Sequence, residues 1–343
     1  MQDLFAQLQG WLFETLVQPL AFAVGAGNLL EDGYVATAWL LYGVLQIAVL
    51  VAVIGPLQRR WPVEPVQDRA AIRVDVIYTL LHRLGLFKLA MFFTFENWVE
   101  QGLGLLRAQG LPTLHIDQLW PGVSDQPLVS FAIYLVVFDA VAWAMHWAQH
   151  RWDWWWRLHA VHHSQRQMTM WSDNRNHLVD SVLTDLIVAV LALLIGVAPS
   201  QFIALVAVSQ LLESLQHANL RWRFGAVGER LLISPSFHRR HHAIWLGHSP
   251  QQAAHQLPAD THGEGLYQPI AVDVKTENKA YPYGANFGVL FPWWDMLART
   301  ADFTPGFGPT GIDDQVTLGR DYGRGFWAQQ WLGLLRLFKV KGV

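Results

Sequence analysis

The chain has 343 residues, 52% of them hydrophobic and 15% charged, well short of the roughly 25% charged residues of ordinary soluble domains, so composition points to a membrane protein. The net charge of −3 gives no basis for binding nucleic acid. Cysteine is absent, which excludes disulfides, thiolate zinc sites, cysteine-ligated iron–sulfur clusters and covalently attached c-type haem, and leaves nitrogen and oxygen to hold any metal.

In chain order, residues 1–33 read as an interfacial or re-entrant segment broken by Pro19 and several glycines, with no basic region that would mark a cleavable signal. The apolar run 36–57 is long enough to span a bilayer and is followed by Arg59 and Arg60. A weaker stretch, 74–95, is interrupted by His82, Arg83 and Lys88. A third span is expected at 128–145. Residues 182–197 and 202–215 form a tight helical hairpin joined at 198–201. The predicted fold is therefore an all-α integral membrane protein with four or more transmembrane helices. Arginines concentrate in 58–73, 148–180 and beyond 215, whereas 97–127 contains only Arg107. Basic segments collect on the cytoplasmic side, and alternating the spans puts every arginine-rich segment on that side.

The histidines follow the same alternation. HWAQH places His146 and His150 at i, i+4, where the third span exits. RLHAVHH supplies His159, His162 and His163; FHRRHH supplies His238, His241 and His242; His217 lies at the return of the hairpin. Positions i, i+3 and i+4 share one helix face, so each H-x-x-H-H is expected to aim three rings the same way. A single H-x-x-x-H is more often a pair of ordinary surface or core histidines than a ligand pair. Three clusters within a total of 15 histidines, meeting at one membrane face, make a cytoplasmic helical cap around metal the better reading. With His177 and His217 the candidates number ten, which suits two ions with about five nitrogens each. Zinc is chemically possible, but H-E-x-x-H is missing.

The order H-x-x-x-H, H-x-x-H-H, H-x-x-H-H resembles the membrane-bound fatty acid hydroxylase/sterol desaturase superfamily. Further residues carry the likeness: Asp139 seven before His146; WWRLHAVHHS at 155–164; RNH at 175–177, similar to an R-x-H-P motif but with Leu178 in place of the proline; QHANL at 216–220; NFG at 286–288; and WDMLART at 294–300. The likeness covers about residues 70–300. It implies a histidine-rich non-haem di-iron enzyme that uses O₂ to attack an unactivated C–H bond of a lipid. It implies two Fe ions held by His146, His150, His159, His162, His163, His217, His238, His241 and His242, and less securely by His177.

Around these ligands, Asp139 is expected to support the site from within an apolar span. Glu213, one turn before His217, is a candidate to orient that ring or bind metal directly. Asp180 is a partner for His177 or an N-terminal helix acid. Asp295 is expected to play a supporting role, and Asn219 and Asn286 to fix backbone turns. His82 and His115 stand alone, and His248, His255 and His262 fall in a polar insertion, 246–282, that reads as a loop: a lid over the site, the favoured reading, or a partner surface or a passive insertion. The segment 34–320 is then the oxygenase domain and 321–343 an amphipathic tail on the membrane surface with no required catalytic role.

Hydroxylation of a fatty acyl, sterol or related lipid is the leading expectation. Desaturation on the same site is its close rival, and a metal-binding or metal-transport membrane protein is the rival from another class. With no cysteine cluster, no G-x-G-x-x-G after a strand and no H-P-G-G, electrons are expected from a separate partner, a reductase with a ferredoxin or cytochrome b5-like donor. Many arginines and no cysteine suggest a bacterial inner membrane with the site on the cytoplasmic side. Lys339 and Lys341 offer the endoplasmic reticulum as the alternative.

Overall fold

The computed structural model describes residues 2–91, 94–95, 97–244 and 283–340. The insertion 246–282, with His248, His255 and His262, lies outside the described residues, as does Lys341. Among the described residues the protein is helical throughout, with no strand and an isolated bridge between Ala243 and Thr310. Three helical stretches are long and apolar enough to cross a membrane: Gly27–Arg60, Pro127–Arg151 and Leu178–Ile195. They fall where the first, third and fourth apolar runs of the sequence predict them.

The chain divides into two compact units, Met1–Ala52 with Leu80–Leu111, and Val53–Thr79 with Pro112–Val343. In the first unit, helix Gln2–Leu12 runs on through Phe13–Val17 and Gln18–Ala23 before the chain turns at Gly25 and enters α1 (Leu30–Val49). Pro19 does not break this run, which passes through the wider π turn Phe13–Val17 just before it. The two arms pair antiparallel, with the Phe5 and Tyr42 rings 4.6 Å apart and the Phe13 and Tyr34 rings 5.3 Å apart. Gly43 lets α1 approach the carbonyl of Arg83 so closely that any Cβ there would overlap it.

The expected run at 74–95 is not one span. Helix α2 (Arg69–Arg83) stops at its charged end, Gly85 takes a left-handed conformation (φ 78°), and a separate short helix, Leu86–Met91, follows. Asp75 in α2 is committed to a buried ion pair with Arg175 at 2.5 Å, both residues lying in the second unit.

The second unit is built on α3 (Pro127–Arg151), α4 (Asp153–His163), α5 (Leu178–Ile195) and α6 (Pro199–His217). Tyr134, Ile195 and Leu205 pack into one buried cluster that ties α3, α5 and α6 together. Gly196 ends α5 with φ 68°, and a side chain there would press His115 and Thr113. Pro199 opens α6 in its first turn, so two helices and a short turn form where the sequence predicts them, but α5 and α6 do not pack along each other as a tight hairpin. Helix α6 is not among the three candidate spans; Gln201, Ser209, Gln210, Glu213, Ser214 and Gln216 make it too polar.

Only Trp152 separates α3 from α4, and its extended backbone (φ −99°, ψ 115°) turns α4 back across the end of α3. Helix α7 (Pro235–His241) starts at Ser234, whose hydroxyl accepts from the Phe237 amide at 3.1 Å. Helices α8 (Trp293–Ala298) and α9 (Phe326–Leu337) complete the unit. The amphipathy of α9 is the reverse of a simple surface helix: Gln329, Gln330, Gly333 and Arg336 are buried, while Trp327 and Trp331 are exposed.

Candidate metal centre

Nine of the ten candidate histidines converge. Ligand atoms of His146, His150, His159 and His163 lie within 4.8 Å of one another, and so do those of His162, His217, His238 and His242; His163, His241 and His242 form a third such group. All nine are buried. The two tetrads adjoin, with the His163 and His242 rings stacked at 4.3 Å.

The i, i+4 pairs and the i+3 residues divide between the tetrads. On α4, His159 and His163 serve the first tetrad and His162 the second. His238 and His242 serve the second tetrad, while His241 places its Nε2 3.1 Å from His163 Nε2. The expectation that each H-x-x-H-H aims three rings the same way is therefore corrected. At 3.6 residues per turn, successive residues are about 100° apart, so i+3 and i+4 straddle the face and a single motif reaches two neighbouring points.

The outer nitrogens explain which way the rings face. His146 Nδ1 is 2.9 Å from the Phe287 carbonyl, His241 Nδ1 2.7 Å from the Ala285 carbonyl, and His217 Nδ1 2.8 Å from the Glu213 carbonyl. His159 Nδ1 lies 3.2 Å from an Asp180 carboxylate oxygen. These oxygens only accept, so each Nδ1 carries the proton and each Nε2 presents a lone pair inward. The buried Nε2 atoms of His146 and His159 meet no hydrogen-bond partner among the described residues. In the second tetrad His217 Nε2 sits 3.3 Å from His162 Nε2 and 3.0 Å from His238 Nε2. Crowded lone pairs with donors turned outward are the arrangement a metal ion satisfies. Burial pushes His162, His238, His241 and His242 well below the ordinary imidazole pKa, so they are neutral, the form that ligates. The two tetrads can each hold a metal ion.

The supporting residues act mostly through the backbone. Asp139 accepts from the amides of Leu290 and Phe291 at 2.7 and 3.3 Å and from Trp294 Nε1 at 2.8 Å. Asp295 accepts from Trp143 Nε1, the Thr300 hydroxyl and the amides of Phe287 and Gly288. Together they clamp the loop whose carbonyls hold His146 and His241. Asn286, at φ 63°, donates to the Phe237 and Asp302 carbonyls and accepts from the Asp302 amide. Asn219 binds the backbone of Val63 and Glu64. Glu213 belongs to none of the three groups and reaches His217 through its backbone carbonyl. Asp180 accepts from Gln149 and Trp155 as well as facing His159, so the ring it contacts directly is His159, and it acts on His177 through charge alone.

His177 is not brought into the groups. Its Nδ1 caps α5 by accepting from the Val179 amide at 3.1 Å, and its Nε2 donates to the Gln330 carbonyl at 2.9 Å. His115 also lies outside them. Sequence reasoning missed the carboxylates that hold α7, where Arg239 pairs with Glu64 at 2.7 Å and Arg240 with Asp302. The adjacent arginines were the available signal, since two buried guanidiniums require acids.

The family model described as fatty acid hydroxylase matches residues 131–252. Comparison with curated proteins and with solved structures gives no match. The matched segment contains all nine converging histidines, so the similarity to the fatty acid hydroxylase family falls on the candidate metal centre itself.

Proposed function

We propose that this protein is a non-haem di-iron enzyme that uses O₂ to hydroxylate an unactivated C–H bond of a membrane lipid. The observation that carries the reading is the pair of adjoining, buried, all-imidazole tetrads, the first of them anchored by His146 and His150 at the end of the apolar span α3. Bound there, two irons would supply the O₂ activation and C–H oxidation that no side chain can perform.

The chain's own residues do the rest. Neutral imidazoles would leave the full positive charge on the ions they hold. The carbonyls of Ala285 and Phe287 and the carboxylate of Asp180 fix ring orientation. Burial of the nine rings excludes bulk water. The lipid tail enters laterally from the bilayer. Electrons come from a separate reductase with a ferredoxin or cytochrome b5-like donor docking on the arginine-rich side, which we place on the cytoplasmic face of a bacterial inner membrane.

Mass spectrometry of membrane lipids, with the protein and its donor supplied and His162→Ala as the comparison, tests this. Gain of one oxygen in a lipid class supports hydroxylation; loss of two hydrogens assigns desaturation instead. Tightly held metal with neither change would sink the oxidase reading in favour of a metal-binding protein.

A further inference from the structure

We infer that Gln330, on the C-terminal helix α9, is a positioning residue for the first tetrad. The inference rests on the metal-centre reading above and extends it to a part of the chain some 150 residues away.

The first turn of any helix leaves amides without partners. In α5 two of these are supplied from outside the helix: the Leu178 amide donates to Gln330 Oε1 at 2.7 Å, and the Val179 amide donates to His177 Nδ1. His177 is in turn fixed by α9. Its Nε2 donates to the Gln330 carbonyl, and Gly333 lies so close under the ring that a side chain there would overlap it. Both caps therefore depend on one residue. Gln330 itself is buried, with its amide nitrogen donating to the Tyr78 hydroxyl at 2.8 Å and to the Asn176 carbonyl at 3.2 Å. Its side chain has no freedom to turn away.

The residue that follows these two capped amides is Asp180, and its carboxylate faces His159 while accepting from Gln149 and Trp155. The chain of support runs from Gln330 to the first turn of α5, from there to Asp180, and from Asp180 to the His159 ring. A second clamp reaches the same helix: Arg157 donates to the Arg336 carbonyl at the end of α9 at 2.8 Å. The departure at Leu178 belongs to this arrangement. Proline, the residue of the motif this segment resembles, has no amide to donate, whereas Leu178 uses its amide to bind Gln330.

The test uses the full chain in detergent, titrated with cobalt(II) alone and read by its visible absorption. Gln330→Leu is expected to weaken one of two cobalt ions about ten-fold, the scale of losing an outer support, and to shift that ion's bands while leaving the other's in place. Gln330→Glu keeps an acceptor for Leu178 but turns an acceptor-only oxygen on the Asn176 carbonyl, so it is expected to be impaired as well. Trp331→Ala, on the exposed face of the same helix, is expected to change neither. If Gln330→Leu binds both ions normally, or loses both together, the positioning role is overturned while the metal centre stands. A wild type that takes up no cobalt overturns the metal-centre reading itself, and this inference with it.

Discussion

The two tetrads use the same ligand and are held differently. In the first, His146 is fixed by the Phe287 carbonyl and His159 by Asp180, and neighbouring His241 by the Ala285 carbonyl. In the second, His217 is fixed by a carbonyl of its own helix, while the Nδ1 atoms of His162, His238 and His242 meet no partner among the described residues. An outer hydrogen bond fixes the tautomer, locks the ring angle and raises ligand basicity. Two rings of the first tetrad are thus held by distant elements, whereas in the second one ring is held, and from within its own helix. Identical donor sets therefore need not bind alike, and the first position is expected to hold its metal more tightly and exchange it more slowly.

The comparison can be broken at its joint. His163 belongs to both the first tetrad and the bridging triad, so His163→Ala should abolish turnover and reduce metal at both positions, measured by elemental analysis alongside lipid oxidation. Retention of two tightly bound ions would remove it from the ligand set. A finer cut is Asp180→Asn, which should weaken metal at the first tetrad about 10- to 100-fold and bring the two positions closer to equal affinity in a chelator competition. Equal weakening of both positions would mean that the tetrads are not separately supported.

Acid probes both tetrads without mutation. Burial holds the folded-state pKa of His162, His238, His241 and His242 well below 6.5. In the metal-free protein the unfolded chain therefore binds protons first as the pH drops. Stability is fully present above the unfolded value of about 6.5, and is lost as pH falls from there toward the folded pKa values. Thermal unfolding of the metal-free protein should show a falling midpoint across that window, and a flat profile would contradict the burial of neutral rings. The smallest effect expected is at the cap of α7. Ser234→Ala removes the acceptor for Phe237 and should cost about 1 kcal/mol, read as a lowered unfolding midpoint with the first tetrad's affinity unchanged.

How far the sequence reached can be judged residue by residue. Nine ligand candidates were legible because imidazole carries its chemistry in the side chain and the spacing i, i+3, i+4 is local. His177 was read the same way, yet its partner is Gln330, a contact set by how α9 packs. Asp180 looked like a partner for His177 or a cap, and its location beside His159, Gln149 and Trp155 depends on three elements meeting. The Ala285 and Phe287 carbonyls could not be anticipated as ring acceptors, since every residue has one. The run at 74–95 looked like a weak span because its apolar content outweighed three interruptions; Gly85 and the charged end of α2 decided otherwise.

By itself the sequence determined the chemistry and the medium: nitrogen ligands in number, no thiol, and apolar runs long enough for a bilayer. Those properties are local or additive, so they survive without a fold. Only the tertiary structure decided that the histidines separate into two adjoining tetrads, that His177 serves as a cap, and that the C-terminal helix turns its polar face inward to support the site. Each of these depends on directional contacts between residues far apart in the chain, and periodicity within one segment carries no information about them.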